Sequence, residues 1–123
     1  MVLYLVDGYL SYDCPCHVMA ETIIVRECRH GQVRVQFGNI IRVDGDIMVI
    51  PANNRLAGRE GLDERMQLAA GDELRARCTE IAVERRKEGK QPCGVGEAVR
   101  TSGYNLPAEN LVHVVAPDCR RPN

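Results

Sequence analysis

The chain has 123 residues, no tryptophan and a single phenylalanine, so any core it buries is aliphatic. It has no excess of either charge: 16 basic residues stand against 17 acidic ones, for a net charge of −1. That balance gives no support to nucleic-acid binding or to a membrane-surface role. The basic run RRKEGK at 85–90 is read as the solvated end of a helix. No apolar run is long enough to span a membrane. The opening MVLYLVDGYLSYD lacks a basic leader, and Asp7 breaks its apolar run, so no signal peptide is expected. No N-x-S/T sequon occurs. Without a secretory signal, the six cysteines read as reduced thiols of a cytoplasmic protein.

What is present suits one globular domain, with 45% apolar residues and no internal repeat. VLYLV at 2–6 and TIIVR at 22–26 read as strands, with the loop SYDCPCHVMA between them. Val33, Val35 and Phe37 alternate with polar residues, the pattern of a half-buried strand. IMVI at 47–50 is apolar on both faces, as a central strand covered by helices should be. From Leu62 the apolar period becomes three to four residues, through Met66, Ala70, Leu74, Cys78 and Ile81 or Ala82. Gly71 splits this pattern into two helices, with Asp72 expected to cap the second and Gly89 to end it. EAVRT at 97–101 and LVHVV at 111–115 are further strands, joined by the turn-rich SGYNLPAEN. The order predicts an α/β fold with a mixed β-sheet and flanking helices.

One stretch stands out: IPANNRLAGREGLD, at 50–63, directly beyond the apolar strand. Asn and Asp there are ordinary turn and cap residues. The end of a strand is also where α/β proteins assemble sites. GNIIRV, DIMVIPANNRLAGREGLD, LAAGDELRARC and CGVGEAVRTSGYNLPAENLVHVVAP occur in that order, from Gly38 to Pro117. These segments resemble the macrodomain family, the ADP-ribose-binding fold. The resemblance implies that ADP-ribose or a related nucleotide is the partner, with the distal ribose held by 50–63. Asn53 matches the last Asn of the family's Asn-Ala-Ala-Asn, and Asp63 the Asp after its glycines. In hydrolysing members these two position the ribose and a water at its anomeric carbon, so Asn53 and Asp63 are the candidate catalytic pair. An Asn amide offers a donor and an acceptor to hydroxyls, and a carboxylate can activate water. Asn39 stands where the family has an Asp that accepts from the adenine amino group, and Ile40 matches the Ile that lines the adenine pocket. Ala52, Gly58, Arg59 and Gly61 complete the expected ligand-binding set. Taken without the family, Asn39 is a turn residue after Gly38, Asn53 shapes a turn, and Asp63 caps a helix.

The chain also departs from the family. Ile50 and Pro51 replace the first Asn and Ala of the Asn motif. Four family glycines become Gly58, Arg59, Glu60 and Gly61, where long side chains obstruct the sugar unless Arg59 reaches a phosphate. Gln67 stands where many hydrolases have His. The second glycine-rich loop of the family, which wraps the diphosphate, has no counterpart before Asn123. The domain is therefore expected to be truncated at its C-terminal side: residues 1–30 an unassigned extension with two short strands, 31–119 a partial macrodomain, 120–123 a tail. Completion is expected from the N-terminal strands or from a second copy in a homodimer, ahead of an isolated fragment. Binding of the nucleotide is the leading expectation, hydrolysis of an ADP-ribosyl bond a lesser one. The rival is a degenerate, non-catalytic macrodomain serving oligomerisation or protein contact, in which Arg59 and Glu60 would fill the ribose position.

Cys14, Cys16, His17, Cys28 and His30 supply enough ligands for a zinc ion. Their single-residue spacing is not the usual C-x2-C knuckle, so they are read as packed or exposed thiols, and no metal or cofactor is assigned. Cys78, Cys93 and Cys119 show no pattern of Cys–His catalysis. His113 and Tyr104 match family positions with structural roles.

Overall fold

The computed structural model of the chain describes residues 2–5, 21–59 and 61–118. The loop at 11–20, with Cys14, Cys16 and His17, lies outside them, as do Glu60, Cys119 and the tail. In chain order the elements are β1 (Val2–Leu5), β2 (Glu21–Cys28), β3 (Gly31–Phe37), a 3-10 turn (Ile40–Arg42), β4 (Gly45–Pro51), α1 (Gly61–Ala70), α2 (Asp72–Lys87), β5 (Ala98–Ser102) and β6 (Ala108–Val114). They fall into two compact units, Met1–Arg42 and Val43–Asn123.

In the first unit, β3 lies between β1 and β2. It runs parallel to β1, with Val2 opposite Arg34, and antiparallel to β2, with Cys28 opposite Gly31. The β2–β3 register shifts between Thr22 and Ile24, one residue more on β2 than on its partner, as in a bulge. Ile23, Ile24 and Val25 are exposed at 54%, 47% and 47%. Val33, Val35 and Phe37 are half-buried, but Gln32 and Gln36 are too, so burial does not follow the alternation of the sequence.

The second unit holds the core. Its sheet has the order β4-β6-β5, with β4 parallel and β5 antiparallel to β6. A parallel pair needs a crossover, and here α1, α2 and β5 make it. α1 packs on β4 and α2 on β5. Met48, Ile50, Val99, Leu111 and His113 of the strands are buried, as are Met66, Ala70, Leu74, Cys78, Ile81 and Ala82 of the helices. Each fully buried Leu, Ile or Met stabilises the unit by about 1.5–3 kcal/mol relative to exposure.

The chain is α/β with mixed sheets and flanking helices, as expected, but its strands divide between two three-stranded sheets. Two expectations are corrected. IMVI is not in a central strand with both faces covered: among the described residues β4 is an edge of its sheet, and Ile47 and Val49 are 66% and 57% exposed. β-strand alternation puts only Met48 and Ile50 under the helices. Asp72 does not cap α2 either. Gly71 takes that place at φ 95°, with its N–H donated to the Gln67 carbonyl at 3.2 Å. Asn105 explains the glycine: its Nδ2 would stand 2.6 Å from a Cβ at position 71.

Candidate functional site

Beyond the end of β4 the backbone keeps to the sheet for one more bond, from the Ala52 N–H to the Val114 carbonyl (2.8 Å). It then turns around Asn53. The Asn53 Oδ1 accepts the N–H groups of Arg55 (3.0 Å) and Ala57 (3.1 Å), and its carbonyl accepts that of Leu56 (3.0 Å). The turn is braced from outside where Cys93 donates its N–H to the Asn54 carbonyl (3.2 Å). Arg85 secures that brace, donating to the Pro92 carbonyl (2.9 Å) and to the Glu97 carboxylate (2.8 Å).

Three residues in six then take left-handed backbone: Leu56 (φ 54°), Gly58 (φ 53°) and Gly61 (φ 62°). Glycine does so freely, whereas Leu56 is a strained, buried exception. At Gly58 space is limiting as well, because a Cβ would lie 2.2 Å from the Cδ of Gln67.

The segment closes over Asp63, in the first turn of α1 and only 6% exposed. Its Oδ1 accepts from the Gln67 Nε2 at 3.4 Å, and its Oδ2 is buried without a hydrogen-bond partner among the described residues. Burial pushes the Asp63 carboxyl above the usual aspartate range, against lesser pulls from the Gln67 amide and from the backbone N–H groups of Asn53 and Gly58. Across from it, burial lifts the Cys78 thiol on α2 to about 11, and the Asp63 charge adds to that. The arrangement therefore holds one buried carboxylate oxygen without a partner among the described residues, a neutral thiol and a neutral amide.

Asn53, Gly58 and Asp63 come together in this way, and Ala52 and Gly61 flank them. Arg59 is exposed. Asn39 and Ile40 belong to the other compact unit. There Asn39 is exposed and its Oδ1 accepts the Ile41 N–H at 3.1 Å, opening the 3-10 turn. Among the described residues no group of His, Cys, Asp and Glu could hold a metal ion. Cys28 is an exposed free thiol, and Cys78 and Cys93 are buried free thiols. His113 is fully buried, with its Nε2 2.9 Å from the Thr101 hydroxyl. No helix of the described residues is long and apolar enough to cross a membrane.

A cavity of about 260 Å3 is lined by Arg77, Arg100, Thr101, Ser102, Tyr104 and Asn110, at the end of the sheet away from Asn53, and holds none of these site residues. In the sequence Gln67 stood out only as a residue in the place where many hydrolases of the family have His. The strained Leu56 left no signal.

The family model described as Macro domain matches residues 49–123. The O-acetyl-ADP-ribose deacetylase of Cronobacter turicensis is 38% identical over 87 residues, 71% of this chain and 47% of the relative. A protein-ADP-ribose hydrolase of Staphylococcus aureus is 37% identical over 89 residues, 68% of this chain and 32% of its own length. Among solved structures, the Oceanobacillus iheyensis macrodomain with ADP superposes with a TM-score of 0.75 at 26% identity, over 85% of this chain and 53% of that one. The chain belongs to the macro domain family. It spans about half the length, or less, of these relatives.

Proposed function

We propose that the chain binds ADP-ribose or a closely related nucleotide, with the distal ribose over the 52–63 segment. One observation carries this reading: the Oδ2 of the buried Asp63, without a hydrogen-bond partner among the described residues, beside the turn that Asn53 shapes. A ribose hydroxyl that reaches Oδ2 would satisfy it by donating a hydrogen bond. The names of the relatives support the choice of nucleotide. Ala52, Gly58, Arg59 and Gly61 are assigned to the sugar and phosphates.

Hydrolysis is the further step of the same proposal. Asp63 Oδ2 takes the proton of a water whose oxygen bonds to the anomeric carbon, and the departing group leaves with the electron pair of the broken bond. A carboxyl raised by burial is a better base near neutral pH than an ordinary aspartate. The free thiols at Cys28, Cys78 and Cys93 favour a reducing, cytoplasmic setting.

The test is a calorimetric titration of ADP-ribose into the full chain, with AMP and ribose 5-phosphate as controls. Saturable binding well above both controls is expected, and no heat at millimolar concentrations overturns the reading. Asp63→Ala should then abolish any turnover; turnover that survives it removes Asp63 from catalysis.

A second reading, an oligomerisation or protein-contact module, is favoured by Ile47 and Val49, apolar and exposed on an edge strand. A second copy pairing along β4 would cover that edge. Light scattering after size exclusion decides it, since a strict monomer at high concentration leaves the module reading without its partner.

A further inference from the structure

Residue 67 fits neither a surface nor a core position of an ordinary amphipathic helix. It is an amide, 2% exposed, on a helix face it shares with Met66, Ala70 and Asp63. Burying an amide is costly unless it is paired. Its Nε2 has two acceptors, both at 3.4 Å: the carbonyl of Leu56 and Oδ1 of Asp63. Leu56 is the residue forced into left-handed backbone, and Gly58 must lack a side chain because the Gln67 amide fills that space. The Gln67 amide thus touches the strained turn, the glycine and the carboxylate at once.

We infer that Gln67 is the positioning residue of the site: by engaging Oδ1 of Asp63 and the Leu56 carbonyl, it fixes the orientation of the buried carboxyl against the 52–58 turn and leaves Oδ2 without a side-chain partner. The inference rests on the proposed binding reading for what Oδ2 meets, but not for what Gln67 does to Asp63. A titrating side chain at 67 would add its own ionisation to the site, whereas Gln67 adds none. The groups facing Asp63 are the Gln67 amide on α1, the Cys78 thiol on α2, and the backbone N–H groups of Asn53 and Gly58. The thiol stays neutral through the working range, so ligand affinity should follow one ionisation, that of Asp63. The amide N–H favours the charged carboxylate, so removing it must move that ionisation to higher pH.

The experiment follows the Asp63 carboxyl carbon by NMR through a pH titration of the full chain, without ligand, in parallel with ADP-ribose affinity over the same range. Gln67→Leu should raise the midpoint by about one unit and carry the pH at which affinity for ADP-ribose changes upward by the same amount. Gly58→Ala, which displaces the amide, should shift the midpoint in the same direction. The double variant should shift it no further than the larger single effect, since both act through one contact. If Gln67→Leu does not fold, Gln67→Glu keeps the shape and places a second carboxyl beside the first, raising the midpoint still more. A midpoint unmoved in the folded variants overturns the positioning role, whether or not ADP-ribose binds. A midpoint that moves in a chain that binds no ADP-ribose upholds the role and sinks the nucleotide reading instead.

Discussion

The two compact units are built from similar strands and reach different ends. In the second, Ile50, Met66, Leu74 and Leu111 are completely buried, and α1 and α2 cover one face of the sheet. In the described part of the first, none of the residues from Ile23 to Arg42 reaches full burial, and three consecutive β-branched residues of β2 stay exposed. Both units have a three-stranded mixed sheet, so strand propensity and pairing do not separate them. The difference is the helix pair. A sheet buries a face only when another layer lies on it, and among the described residues the helices lie in the second unit alone. The family match, at 49–123, falls in that same unit.

The largest expected effect tests this contrast directly. Leu111→Ala, on the central strand of the second sheet, should cost about 2–5 kcal/mol in urea unfolding followed by circular dichroism. Val35→Ala, on the central strand of the first sheet but only half-buried, should cost about 1 kcal/mol or less. Equal losses would mean that the first unit owns a core of its own, and the contrast would fail.

Next in size is a pH effect confined to the second unit. Burial pushes the His113 imidazole from 6.5 down to about 4. A lowered base is neutral in the fold and protonated in the unfolded chain between those values. Its contribution to stability is therefore whole above pH 6.5 and is lost as the pH falls to 4, by roughly 3 kcal/mol at one 1.4 kcal/mol step per unit. His113→Leu should flatten stability over that window, although it leaves the Thr101 hydroxyl unpaired. A slope that persists in the variant places the titrating group elsewhere.

Asp63 should act in the opposite sense, over a window that opens at the ordinary aspartate value. Its raised carboxyl favours the fold fully below the ordinary aspartate range, and that contribution is lost as the pH rises through the folded-state value. Above it, the buried charge is a penalty. Asp63→Asn should therefore stabilise the chain at neutral pH by about 1 kcal/mol, the scale of a buried polar group's desolvation, and change little at pH 3. Stability given up at a site in this way is what a functional residue costs a fold. A neutral-pH loss in Asp63→Asn would mark the carboxylate as a structural anchor and weaken the binding reading.

The same contrast governs what could be read in advance. Every described strand and both helices were legible, because periods of two and of three to four residues are written into the apolar positions. Layering was not: IMVI looks equally apolar on both faces, and nothing local says that only Met48 and Ile50 would meet helices. Asn53 and Asp63 were singled out through the family motif, and the structure brings the Asn53 turn against the buried Asp63. Gln67 was noted only as a missing histidine, because its meaning depends on the Leu56 carbonyl, 11 residues away, and on the space above Gly58. The Gly71 cap was obscured by Asp72, a better capper by type, since the need for glycine comes from Asn105 across the fold.

The smallest effects concern the surface of α2, where two arginines look alike in sequence and differ in what they hold. Arg77 pairs with Glu80, one turn on in the same helix, and both are well exposed. Such a pair gains little in water and adds no tertiary constraint. Arg85 reaches across to the Pro92 carbonyl and to Glu97, whose carboxylate also accepts the Gly94 N–H at 2.8 Å. It thereby secures the loop whose Cys93 braces the Asn53 turn. Arg77→Ala should leave both the melting temperature and the affinity for ADP-ribose unchanged. Arg85→Ala should lower the affinity more than it lowers the melting temperature, because it loosens the turn that presents Asn53 while leaving the buried face of α2 intact. Affinity that simply tracks stability in Arg85→Ala would show that the brace serves the fold and not the site.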